Sequence, residues 1–145
     1  MAATKHIGIV PAPYVADVDL SATCALYRFV RISGSAAGSF NKVLLGNGAS
    51  NPAALGVIQN SPSSGQEAAV VTLGYTKLVG RATTCILTFG RYIMCASDGV
   101  AEPPVTSNGS PVCGRWEGEN ITTQGTSNIG VAFLFGFTTC HVSPS

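Results

Sequence analysis

The chain is short of charge. Only 10% of its 145 residues are Asp, Glu, Lys or Arg, against roughly a quarter in an ordinary globular domain. Eight basic side chains stand against seven acidic ones, and no run of Lys or Arg gathers them; Arg81, Arg91 and Arg115 are scattered singly. Nucleic-acid binding needs a concentrated basic footprint, so no nucleic-acid partner is expected. Long apolar runs are also lacking. The longest, Ile129–Phe137, is nine residues, whereas a membrane helix needs about 20, so no membrane span is expected. The first residues lack a basic region leading into an apolar stretch and a small-residue cleavage site, so secretion is not expected either.

The residues of catalysis are as sparse. His6 and His141 are the two histidines and lie near opposite ends of the chain. A nucleophilic triad needs a base that is oriented by a carboxylate and touches its nucleophile. Serines are abundant, but no Gly-x-Ser-x-Gly elbow occurs among them. Glu117 and Glu119 flank Gly118 and would share one face of a strand, where a solvated pair is the expectation. Asp98-Gly99 reads as a turn. The five cysteines, Cys24, Cys85, Cys95, Cys113 and Cys140, form no Cys-x-x-Cys, so the spacing of structural zinc sites is missing. They read as small buried hydrophobes of a reducing compartment, with one or two disulfides left open. Asn108-Gly-Ser110 and Asn120-Ile-Thr122 fit the glycosylation pattern, which carries weight only in a secreted protein. No enzyme activity, cofactor, metal or small-molecule substrate is expected.

What the chain does have is apolar and β-prone. Hydrophobic residues make up 46% of it, and a surface this poor in charge favours burial against other chains. Short runs rich in Val, Ile and aromatics are bounded by turn residues, the pattern of strands. Those runs are Leu26–Val30, Lys42–Leu45, Leu55–Ile58, Ala68–Leu73, Tyr75–Val79, Cys85–Phe89, Tyr92–Ala96, Val112–Gly118 and Ile129–Phe137. In the last, bulky Ile129, Val131, Phe133, Phe135 and Phe137 alternate with Gly130, Ala132, Leu134 and Gly136. The bulky face is expected to enter the core and the small face to let another backbone approach. No segment shows a convincing helical stripe, and glycine interrupts most windows long enough for a helix. The expectation is an all-β fold with little helix, a small barrel or sandwich-like domain over residues 21–145.

Residues 1–20 read differently. Ile7–Val10 is cut off by Pro11 and Pro13, which fix φ and remove backbone donors, so this segment is expected to be an extended arm. Such an arm is either disordered or ordered by pairing with a neighbour's sheet edge; both readings stay open.

The most distinctive stretch is Ala54–Lys77, where Gly56, Val57, Gln59, Asn60, Pro62, Gly65, Gly74 and Lys77 punctuate two strand-like runs. Together with Tyr27–Val30, Gly90–Ala101, Gly114–Trp116 and Ile129–Phe137, this order of residues resembles the capsid decoration, or cement, proteins of tailed bacteriophages. The Glu102–Pro111 insertion, the cysteines and the aromatic last strand depart from that pattern. The resemblance implies a non-enzymatic β domain on the outer surface of a virion, assembled in the host cytoplasm, where it would bridge major capsid protein subunits as a homotrimer. It further implies that an arm carrying Thr4, His6, Ile7, Ile9, Val10, Tyr14 and Val15 adds a strand to a capsid protein's exposed edge. The alternative is a tail or surface β-sandwich module that binds carbohydrate, with Trp116, Tyr75 and Tyr92 as stacking faces. A small hydrolase built on Ser and His141 is a distant third.

Overall fold

A computed structural model of the chain describes residues 14–34, 41–48, 54–104 and 112–136. The fold is all-β, and no helix occurs among the described residues. In chain order the strands are β1 (Tyr14–Ala16), β2 (Phe29–Ile32), β3 (Lys42–Leu45), β4 (Ala54–Ile58), β5 (Glu67–Ala68) and β6 (Val70–Val71). They continue with β7 (Gly74–Arg81), β8 (Tyr92–Cys95), β9 (Ala101–Glu102), β10 (Gly114–Trp116) and β11 (Ser127–Leu134).

The first six strands make one sheet in the order β5-β1-β3-β2-β4-β6. Its two outermost strands are separated in the chain by Ala69 alone, so one short segment serves both edges and draws them together. Asn60 holds that junction. Its amide donates to the Glu67 carbonyl at 2.9 Å, while its Oδ1 accepts from the Ala69 N–H at 2.9 Å. The side chain thus supplies the hydrogen bonds that the broken ladder lacks. Inside this sheet lie Ala16, Val30, Val43, Ile58 and Ala68, covered by Leu20 and Ala25.

The remaining strands close into a barrel, β10-β11-β7-β9-β8, which removes exposed sheet edges where the pairing is complete. Its core holds Leu78, Leu87, Ile93, Ala101, Trp116, Ala132 and Leu134. Phe29 and Val57 belong to that same cluster, although their neighbours Val30 and Ile58 face the first core. Side chains alternate across a strand, so β2 and β4 form a wall shared by the two cores.

Several expectations need correction. Tyr14 and Val15 are not part of a free arm: β1 is hydrogen-bonded between β3 and β5 of its own chain, and Leu20 is fully buried. The β domain therefore begins by Tyr14; Thr4, His6, Ile7, Ile9 and Val10 lie outside the described residues. The first strand of the Leu26–Val30 region starts only at Phe29, because Cys24 and Tyr27 adopt positive φ of 52° and 59°. Ala68–Leu73 is interrupted at Ala69. Cys85–Phe89 forms no strand, only a single bridge between Leu87 and Ile121.

The largest correction concerns the last strand. Ala132 and Leu134 are buried, whereas Ile129 is 60% exposed and Val131 42%. The bulky face of β11 points outward. The reason is Trp116, which fills the barrel: a Cβ on Gly130 would lie 2.4 Å from its Cζ2, and one on Gly118 or Gly80 would lie 2.7 Å from the same ring system. Only small residues fit beside that indole, so the small face of β11 must turn inward.

Candidate functional site

With its small face inward, β11 carries its aromatic residues out to the surface. The registers place Tyr75 opposite Phe133, Phe133 opposite Arg115, and Arg115 opposite Tyr92. Directly opposed residues of antiparallel strands share a face. One row of four side chains therefore crosses the outside of β7, β11, β10 and β8. The Tyr75 and Phe133 rings meet edge to face with centroids 5.0 Å apart. Phe135 extends the cluster, 6.0 Å from Tyr92 and 6.1 Å from Phe133.

Tyr75 and Tyr92 are 63% and 50% exposed, and Leu73, just before β7, is 56% exposed. Ile129 and Val131 prolong the apolar stripe along β11. Scattered apolar residues on a surface are unremarkable, but a contiguous patch of roughly 300–600 Å² commonly marks a binding surface. The rings hold one another in place through edge contacts, each worth about 0.5–1.5 kcal/mol beyond area burial. The face is thus preorganised, and little side-chain entropy remains to be lost on binding.

The charge in this face is internally neutralised. The Arg115 guanidinium bonds Glu117 Oε1 through Nε at 3.0 Å and also through Nη2. The Glu117 hydrogen bond, and then its charge, hold the Arg115 pKa above its ordinary value. Glu117 is accordingly not the solvated acid expected from the sequence; its side chain is largely buried, while Glu119 is exposed. The two acids do not form a matched pair.

The distinctive stretch performs a structural task. Gly56 lets β6 approach, since a Cβ there would lie 2.3 Å from the Val71 carbonyl oxygen. Val57 is core. The Gln59 amide reaches the carbonyls of Val57 and Ile58, and the Pro62 carbonyl accepts from the Leu20 N–H at 3.0 Å. Gly65 and Gly74 occupy positive φ of 81° and 91°, a region glycine enters without steric cost. Lys77 extends over the Tyr27 ring, 5.7 Å from its centroid.

Of the three aromatics considered as stacking faces, Trp116 is core, with its Nε1 donating to the Glu119 carbonyl at 2.9 Å. Tyr75 and Tyr92 are on the surface. Sequence reasoning missed Leu73, Arg115, Phe133 and Phe135 as members of that surface. For Phe133 and Phe135 the signal was the alternation of Ile129–Phe137, whose bulky face points outward; Leu73 and Arg115 carried none. No group of three or more His, Cys, Asp or Glu side chains suited to a metal ion occurs among the described residues. Comparison with known proteins finds no family model, curated protein or solved structure that matches the chain.

Proposed function

We propose that the protein is a non-enzymatic capsid decoration protein that attaches to the outside of a viral head and stabilises it by bridging major capsid protein subunits. The observation that carries this reading is the exposed row Tyr75–Phe133–Arg115–Tyr92, a rigid apolar face on the outside of a closed barrel. A binder without chemistry acts by removing surface from water, at about 25 cal/mol per Å² of apolar area before the costs of association. Tyr and Arg are the residue types that dominate such contacts. Repetition over a shell then makes individually modest contacts strong through avidity. The resemblance carried by Leu55–Lys77 supplies the partner, and the scarcity of charge favours association into a homotrimer on the shell.

The exposed tyrosines also suit carbohydrate. However, the Tyr75, Phe133, Phe135 and Tyr92 rings are mutually tilted by 58–72°, so they offer ring edges as much as a flat platform for a sugar. Localisation in purified particles by immunogold labelling tests the proposal. Gold on the exterior of the head supports it; gold confined to the tail, or particles without the chain, overturns it.

A further inference from the structure

Among the described residues the barrel is incompletely paired where β11 outruns β10. β11 is eight residues long and β10 only three, so their ladder ends at Trp116 opposite Ala132. One further bond follows, from the Glu117 N–H to the Val131 carbonyl at 2.9 Å. The chain then turns away, with the Trp116 indole closing the turn on Glu119. On its other side β11 stays paired with β7 as far as Ser127.

The direction of the freed groups follows from the bonds already made. Phe135 donates to the Cys113 carbonyl and Val131 accepts from Glu117, so odd-numbered residues of this strand direct their backbone groups towards β10 and even-numbered ones towards β7. The N–H of Val131 and the N–H and C=O of Ile129 and Ser127 therefore point past the end of β10. Among the described residues none of these groups has a hydrogen-bond partner. They open onto a cleft of about 570 Å³ lined by Glu117, Glu119, Asn128, Ile129 and Val131, with the Trp116 indole packed against Gly118 and Gly130. An unpaired edge beside exposed apolar side chains is a template for strand addition.

We infer that this edge accepts residues 4–10 of a second copy of the chain as an added strand. Thirteen residues precede Tyr14; with residues 4–10 in the added strand, residues 11–13 bridge to β1 and span up to about 10 Å. Within that added strand, Ile7-Gly8-Ile9-Val10 offers a β-prone run, while Lys5 brings a basic group to a cleft rimmed by the exposed Glu119, Glu117 being already paired with Arg115. Pro11 and Pro13 have no N–H, so they end the added ladder and leave a spacer before β1. The other stretches outside the described residues fit less well. Residues 105–111 contain no basic side chain, and residues 137–145 contain only His141. A second copy is named as the donor because a surface with only 10% charged residues favours burial against other chains. The inference goes beyond attachment to a shell: it assigns the arm to contacts between copies and requires no shell.

The test uses the full-length protein free in solution. Amide hydrogen exchange is followed at Ile129 and Val131 from dilute to concentrated samples, alongside sedimentation. The expected result is an oligomer whose formation slows exchange at both amides at least tenfold. The full-length Ile7→Pro/Ile9→Pro variant should stay monomeric, with fast exchange at those amides and an unchanged thermal midpoint. Three results overturn the inference: exchange at Ile129 that stays fast in the oligomer, an oligomer indifferent to the two prolines, or protection that does not depend on concentration, which places the arm in its own cleft. Shell binding is scored separately, so retained attachment with no arm exchange sinks this inference alone.

Discussion

The Trp116 indole and Gly130 occupy the same layer of the barrel, so closely that a Cβ on the glycine would stand 2.4 Å from Cζ2. This contact decides which side of β11 faces water. It also makes Gly130 more sensitive than an ordinary strand glycine. Gly130→Ala should destabilise the fold by about 1–3 kcal/mol, the usual cost of overpacking a filled core, and Trp116→Ala by about 3–5 kcal/mol through the cavity it leaves. Urea denaturation followed by circular dichroism measures both. A neutral Gly130→Ala would mean that the indole is free to shift.

Acid sensitivity should come in part from Asp98. Arg81 binds its carboxylate through both Nη atoms, at 2.7 and 3.2 Å, and reaches Glu102 through Nε at 2.8 Å. Burial alone would raise the Asp98 pKa, but the Arg81 hydrogen bond and charge outweigh it and hold the carboxyl below its ordinary value. The unfolded chain takes up that proton more readily. The contribution to stability is therefore complete above the ordinary carboxylate pKa of about 3.9 and is lost as pH falls through the folded value. Because the Asp98 side chain is 38% exposed, solvent screening limits the effect to about 1 kcal/mol. Denaturation midpoints measured between pH 7 and pH 3 should fall less steeply for Asp98→Asn than for the parent. Arg81→Leu, which strands the largely buried Glu102, should cost about 1–3 kcal/mol at pH 7.

Thiol reactivity should divide the cysteines. Burial pushes the Cys95 thiol up to about 12 and the Cys113 thiol up to about 11, whereas Cys24 is exposed. Since the thiolate is the nucleophile, iodoacetamide at pH 8 should label Cys24 readily. It should label Cys95 about a thousandfold more slowly than an unperturbed thiol, until the protein unfolds. Mass spectrometry of tryptic peptides gives the order directly; rapid labelling of Cys95 in folded protein contradicts the packing described.

The all-β class was legible because β-branched and aromatic runs are short and glycine interrupts most windows long enough for a helix. Leu55–Ile58 and Tyr92–Cys95 could be placed almost to the residue, being flanked by strong turn formers. The sidedness of Ile129–Leu134 was not legible. A period of two shows that the faces differ, while the choice of inner face depends on Trp116, which arrives from another strand. The break at Ala69 was hidden for a similar reason: it depends on Asn60 supplying hydrogen bonds from seven and nine residues away. The late start of β2 depends on positive φ at Cys24 and Tyr27, residue types that carry no such signal. The surface row was invisible as a unit because Tyr75, Tyr92, Arg115 and Phe133 meet only through strand register.

The most direct measurement is shell occupancy by a surface variant. Tyr75→Ser/Tyr92→Ser removes two exposed rings without opening the core, so the thermal midpoint should change little. If this face meets the capsid protein, each ring acts as an anchor worth about 2 kcal/mol, and together they predict a loss of affinity for isolated heads of several hundredfold, on the order of 10³ if the two effects add. Quantitative co-sedimentation with heads stripped of the parent protein reads that loss. Occupancy equal to the parent, from a variant that is equally folded, would contradict the assignment of this face as the binding surface.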